Sequence, residues 1–198
     1  MISFFGSARL GAAGACHQDY DAAYNIAYRL GKWSSSCVND IGISSGGGPG
    51  IMEAVNRGAI EAGAKSIGMG IDLPFEQRNN LYISEDLDFD FHYFFTRKYW
   101  CVYLSKAFII MPGGVGTLDE FFEILTLIQT DKIKYSIPIV LYNKKFWNSL
   151  INFDVLVEYG TISKDDLDLF TYCDTVEDTC DYIINNINLD PRTPLVTP

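Results

Sequence analysis

Three times along this chain a short apolar run breaks into a glycine-bearing turn and is followed by a stretch of helical period. Residues 2–5 lead into Gly6-Ser7-Ala8-Arg9, and residues 41–44 into Ser45-Gly46-Gly47-Gly48-Pro49-Gly50. Residues 107–111 lead into Pro112-Gly113-Gly114-Val115-Gly116-Thr117. Continuous apolar strands separated by amphipathic helices bury themselves by lying parallel, with helices on both faces of the sheet. Right-handed crossovers then bring the C-terminal end of every strand to one edge. Ligands of such folds bind in the crevice along that edge, so all three glycine loops fall at the prospective site.

The fold class expected is therefore α/β, a Rossmann-like, doubly wound parallel sheet. Apolar spacing predicts helices over 19–35, 51–62, 94–105, 117–129, 145–159 and 175–186. Further strands are expected at 66–71, 137–142 and 170–173, with loop over 72–90. The 198 residues suit one domain over 1–190 with a loose tail at 191–198. A hydrophobic content of 48% with 20% charged residues argues against disorder. No apolar run approaches the ~20 residues of a membrane span. The N-terminus Met1-Ile2-Ser3-Phe4-Phe5-Gly6 lacks the basic start of a signal peptide. Cys16, Cys37, Cys101, Cys173 and Cys180 include no C-x-x-C pair, so free thiols in a reducing, cytoplasmic setting are expected. No membrane partner is expected.

The formal net charge is -10, but it is concentrated. Residues 154–190 hold ten acids against Lys164 alone, whereas residues 1–153 hold fifteen acids and thirteen bases. That balance argues against a protein built to track a nucleic-acid backbone. It leaves room for a single nucleotide in a locally positive pocket, because the acidity lies beyond all three loops.

The third loop carries the most chemistry. Gly113, Gly114 and Gly116 let backbone N–H groups converge at a helix N-terminus, where an anion is attracted. Thr117 adds a hydroxyl, and a phosphate is the natural guest. Ser7 and Gly46, Gly47 and Gly48 belong to the other two loops and are binding candidates with it. The third loop is no Walker A motif, since Leu118 follows Gly116-Thr117. Gly6 is not followed by the glycines of a dinucleotide fingerprint. Glu120 has two readings. Thr117-Leu118-Asp119-Glu120 fits a capping box in which Glu120 only bonds back to Thr117. Alternatively it places a carboxylate beside a bound phosphate, which is poor for binding and so suggests catalysis. Glu123 lies one turn further on. Arg97 and Lys98 sit early in a helix that feeds the strand at 107–111, and Arg97 suits phosphate or ribose oxygens through its planar fork. His17 and His92 lack metal-ligand spacing, and no metal is expected. The rings of Phe89, Phe91, Tyr93, Phe94, Phe95, Tyr99 and Trp100 read as core or subunit interface.

Ser45-Gly46-Gly47-Gly48-Pro49-Gly50-Ile51-Met52-Glu53-Ala54 and Pro112-Gly113-Gly114-Val115-Gly116-Thr117-Leu118-Asp119-Glu120 together resemble the Lonely Guy (LOG) family. The second stretch matches that family's P-G-G-x-G-T-x-x-E motif without a gap. Leu73-Pro74-Phe75-Glu76-Gln77 and Tyr93-Phe94-Phe95-Thr96-Arg97-Lys98 are similar to further family segments. The resemblance implies a nucleoside 5′-monophosphate phosphoribohydrolase. Such an enzyme cleaves the N-glycosidic bond of AMP or of N6-modified adenosine monophosphates, the cytokinin riboside monophosphates among them. It implies Arg97 and Glu120 as the catalytic pair and 113–117, with Val115 among them, as the substrate loop. Lys98, Thr126 and Glu76 are implied as further substrate contacts. It also implies a homodimer or larger homo-oligomer with sites near the subunit interfaces, and no cofactor.

Many members of this family carry the label lysine decarboxylase. That chemistry needs a Schiff-base lysine and a partner for the pyridine nitrogen of its cofactor, and none of the glycine loops presents such a lysine. Two rivals of other classes stay open. One is a non-catalytic binder of a phosphate-bearing cofactor, of the molybdenum-cofactor carrier type. The other is a single-strand DNA-binding module of the DNA-processing type.

Overall fold

The computed structural model describes residues 1–13, 17–36, 41–72, 79–133 and 136–189. Its strands are β1 (Ile2–Phe5), β2 (Ile43–Ser45), β3 (Ser66–Ile71), β4 (Asp88–Phe91), β5 (Ala107–Ile110), β6 (Ile139–Tyr142) and β7 (Thr171–Cys173). They form one sheet in the order β4-β3-β2-β1-β5-β6-β7, and every pairing is parallel. The helices are α1 (His17–Ser35), α2 (Ile51–Glu61), α3 (Phe94–Leu104), α4 (Val115–Gln129), α5 (Lys144–Leu150), α6 (Phe153–Glu158) and α7 (Val176–Asn186). The sheet is the α/β, doubly wound arrangement expected. In register, Ile2 of β1 faces Ile43 on one side and Ala107 on the other. The order of strands reverses beside β1, so the crevice opens between the loops that leave β1 and β5.

Successive strand side chains point to opposite faces, and the sheet uses both. Ile109 of β5 and Val140 of β6 pack under α1, α2 and α7, with Ile26, Leu30, Val55 and Ile183. Phe108, Ile110, Ile139 and Leu141 face the other way, into a cluster with Val102 of α3, Phe121 of α4, Trp147 of α5 and Phe153 of α6. Phe121 is the hub of that second layer, with its ring 5.9 Å from Trp147, 6.3 Å from Phe153 and 5.7 Å from Phe170. Phe121→Ala is expected to cost about 3–5 kcal/mol, read as a lower midpoint in urea unfolding.

Two expectations are corrected. The span 72–90 is not all loop, because Asp88–Phe91 forms the edge strand β4 on β3. Its side chains are largely exposed, and the acids on an edge strand oppose pairing with another chain. The single helix expected over 145–159 is broken into α5 and α6. At about 100° per residue, Trp147 and Phe153 would lie roughly 120° apart on one continuous helix. The break after Leu150 lets both rings reach Phe121.

Smaller differences concern element ends. α4 begins at Val115 rather than Thr117, and β2 covers 43–45 rather than 41–44. Cys101, Cys173 and Cys180 are free and buried, while Cys16 and Cys37 lie outside the described residues. Burial pushes the thiols of Cys101 and Cys180 up to about 12. No helix among the described residues is long and apolar enough to cross a membrane.

Candidate active site

Backbone bonds through Ser7 knit the three glycine loops together. Its N–H donates to the Pro112 carbonyl at 3.1 Å, and its carbonyl accepts from the Ile51 N–H at 3.0 Å. The Ser7 hydroxyl accepts from the Arg9 N–H at 3.1 Å, so it is engaged within its own loop. Above this seam lies a cavity of about 1090 Å³, lined by Ser7, Gly46, Gly48, Arg97, Glu120 and the segment 114–117 among others. That volume suits a nucleotide-sized ligand.

The start of α4 forms one wall. Its first intrahelical bond runs from the Leu118 N–H to the Gly114 carbonyl at 3.0 Å. The N–H groups of Val115, Gly116 and Thr117 therefore have no acceptor within the helix. Gly113 is dictated by the protein itself, since a Cβ there would run into the Thr117 side chain. Gly114 and Gly116 differ, because a Cβ at either would meet nothing within 4 Å beyond its chain neighbours and the backbone of its own helix. Both line the cavity, so the space beside them is open to a guest.

Arg97 and Glu120 meet at the floor of this crevice. The Arg97 Nη1 lies 3.1 Å from Glu120 Oε1, with side chains only 12% and 4% exposed. A charge-assisted bond between groups so dry is both strong and orienting. The Arg97 Nε donates to the Met69 carbonyl of β3, 2.8 Å away. Glu120 Oε2 is buried and has no hydrogen-bond partner among the described residues. Burial raises the Glu120 pKa above the ordinary carboxylate value, against the opposing pull of Arg97 and Lys98. The capping-box reading of Glu120 is overturned. Gly114 is the N-cap of α4 and makes no side-chain cap bond, and Thr117 is already inside the helix.

Lys98 does not line the cavity and bridges two acids of α4. Its Nζ lies 2.8 Å from Asp119 and 2.8 Å from Glu123. Burial disfavours its charge, but the bonds to Asp119 and Glu123 outweigh that and hold its pKa above the usual lysine value. Glu123 is thus paired with Lys98 rather than lining the cavity beside Glu120. Thr126 is exposed, and its hydroxyl donates to the Phe122 carbonyl at 2.7 Å. Gly47 and Gly113 shape their loops without lining the cavity, and Glu76 lies outside the described residues.

Sequence reasoning missed Met52, Glu53 and the segment 79–82, all of which line the cavity. The Asn79-Asn80 pair was visible only as loop composition. Of the aromatic cluster, Tyr93, Phe94, Phe95, Tyr99 and Trp100 are not core, being 42–70% exposed.

Comparison with known proteins adds the family. Residues 52–183 match the model of a family described as "possible lysine decarboxylase". The chain is 33% identical over 128 residues to the cytokinin riboside 5′-monophosphate phosphoribohydrolase LOG1 of Arabidopsis thaliana, covering 61% of this chain and 56% of that one. It is also 33% identical over 151 residues to LOGL3 of Oryza sativa subsp. japonica, named a probable enzyme of the same kind, covering 72% and 65%. The alignments thus span less than two thirds of the length of these relatives. Among solved structures, the molybdenum cofactor carrier protein of Chlamydomonas reinhardtii superposes with a TM-score of 0.63 at 18% identity, covering 93% of this chain and 96% of that one. That likeness is one of fold. With the family model spanning well over half of the chain and the LOG proteins matching it in sequence, this protein belongs to the LOG family, the group whose model bears the lysine decarboxylase description.

Proposed function

We propose that this protein is a nucleoside 5′-monophosphate phosphoribohydrolase, which hydrolyses the N-glycosidic bond of AMP or of N6-modified adenosine monophosphates. One observation carries the reading. A buried carboxylate, Glu120, is anchored at one oxygen by a guanidinium and unpartnered at the other, five residues beyond the N-terminus of the anion-receptive helix α4. The names of the LOG relatives agree with it.

In this reading the N–H groups of Val115, Gly116 and Thr117 hold the 5′-phosphate. The ribose then lies over Arg97 and Glu120. The bond from the anomeric carbon to the base nitrogen breaks through an oxocarbenium-like state, as in other glycoside hydrolysis. The Glu120 carboxylate stabilises that cation and takes a proton from the attacking water. The water oxygen bonds to the anomeric carbon, the bonding pair leaves with the base, and a proton ends on the base nitrogen. Water and AMP thus give adenine and ribose 5-phosphate. Arg97 keeps Glu120 in place and its charge faces the ribose and phosphate oxygens.

A decarboxylase that uses pyridoxal phosphate finds no support, because no lysine lines the cavity among the described residues. A cofactor carrier would use the glycine loops but would not need Arg97 and Glu120 together. Incubation with AMP and with isopentenyladenosine monophosphate tests the reading, with free base followed by chromatography. Release of base from either supports it. Tight AMP binding without release overturns it in favour of a carrier.

A further inference from the structure

We infer that Asn80 is a positioning residue for the reaction proposed above, acting through the β2–α2 glycine loop on Arg97. The inference rests on that functional reading. Asn80 touches neither Arg97 nor Glu120. Its backbone N–H donates to the Gly47 carbonyl at 2.7 Å. Its side-chain Nδ2 reaches the Gly47 carbonyl, the Gly48 carbonyl and Asn56 Oδ1, each at 3.0 Å. Its Oδ1 accepts from the Tyr82 N–H at 3.1 Å, which holds the amide in this orientation. One side chain thus ties down two consecutive carbonyls of the loop.

Its footing is rigid. Asn56 of α2 is fully buried. Its Oδ1 also accepts from the Ser45 hydroxyl at 2.6 Å, and its Nδ2 donates to the Ser66 hydroxyl at 2.9 Å and the Ile67 carbonyl at 3.2 Å. The Ser45 hydroxyl oxygen in turn accepts from the Gly47 N–H at 3.1 Å. Buried polar networks satisfied in this way specify one geometry. What they fix here is the wall behind Arg97. A Cβ built on Gly46 would stand 3.1 Å from Arg97 Nη2, so the guanidinium lies directly against this loop. The loop therefore backs the same guanidinium whose other terminal nitrogen holds Glu120. Without the Asn80 amide the Gly48 carbonyl is released and the Gly47 carbonyl keeps only the Asn80 backbone N–H, so the loop that backs Arg97 loosens and the pair can turn out of line. The phosphate-holding N–H groups of α4 make no bond to Asn80 and are unaffected.

The signature is a loss of turnover without a loss of binding. Asn80→Ala removes the amide, and Asn80→Asp keeps its size while placing a carboxylate oxygen against the loop carbonyls. Both are expected to lower kcat for AMP at least tenfold while KM changes less than threefold. Ser84→Ala is the control for mere loosening. Ser84 anchors the same connection to β3 by accepting from the Ser66 N–H at 3.2 Å, but it does not touch the glycine loop. It is expected to lower the melting temperature and leave kcat within twofold. All variants are compared with wild type by melting temperature and by initial rates well below it. Unchanged kcat in both Asn80 variants, or a rise in KM at constant kcat, overturns the inference and leaves the hydrolase reading standing. An equal loss of kcat in Ser84→Ala at matched stability does the same, by making the effect one of general loosening. Absence of base release by wild type overturns the hydrolase reading and this inference with it.

Discussion

Glu120→Gln is expected to lower base release from AMP by about 10²- to 10⁴-fold, the range lost when a positioned acid or base is removed. Glutamine keeps an oxygen for Arg97 Nη1 and the shape of the site, so binding of ribose 5-phosphate, measured by calorimetry, should change little. The same substitution should also move the balance of stability in the variant's favour as pH rises, although it takes the counter-charge from Arg97. Burial raises the Glu120 pKa, so the folded state prefers the protonated acid. The stability this contributes is fully present below the pKa of the unfolded chain and is lost as pH rises through the higher folded value. Glutamine stays neutral throughout and escapes that loss. The melting temperature of the variant should gain on that of wild type as pH rises. A difference that stays constant or widens against the variant between acid and pH 8 would contradict this account. The wild-type rate should fall as pH drops through the raised Glu120 pKa, because only the carboxylate can take a proton from water.

The second large effect concerns the other half of the pair. Arg97→Ala leaves an almost fully buried carboxylate without its cation. Removing one partner of a buried ion pair costs about 3–5 kcal/mol, because the survivor keeps an uncompensated charge. The deficit should therefore depend on pH, being largest at pH 8 and shrinking toward pH 4 as Glu120 takes up a proton. Adding Glu120→Gln to Arg97→Ala should restore much of the loss, since the double variant has no buried charge to strand. Urea unfolding of the four proteins closes this double-mutant cycle. Additive losses would mean that the two side chains do not interact as the 3.1 Å contact requires. Base release by Arg97→Ala should be lost along with the geometry of Glu120.

How much of this was legible in the sequence depends on the range over which each residue acts. β1, β3 and β5 were readable because they are short apolar runs bounded by turns, a purely local signal. So was the convergence of the glycine loops, which follows from parallel topology. The edge strand β4 was not, because Asp88 and Asp90 interrupt its apolar character and both bond Asn79 outside the sheet. The break between α5 and α6 was hidden because no proline or glycine marks it, and the ring that Trp147 and Phe153 both meet, Phe121, lies far away along the chain. Thr117-Leu118-Asp119-Glu120 satisfies a local capping rule, yet Glu120 takes Arg97 as its partner across space. Lys98, which stands beside Arg97 in sequence, faces Asp119 and Glu123 instead. Asn80 looked like loop filler because its partners Gly47, Gly48 and Asn56 are far away along the chain.

The register of the central strand also sets an order of events at synthesis. Ile2 pairs with Ile43 on one side and Ala107 on the other, and Ala107 follows Ile43 by 64 residues. At ~5–20 residues per second, one neighbour of β1 leaves the ribosome roughly 3–13 s before the other. For that interval the nascent chain carries a half-sheet whose apolar edge is unpaired. Pairing across so long a stretch is slow because the loop must close before contacts reward it. The crevice between β1 and β5 is thus the last seam of the sheet's centre to form, and its wall at α4 emerges later still. Nascent chains stalled at increasing lengths should acquire protease resistance in the N-terminal half first.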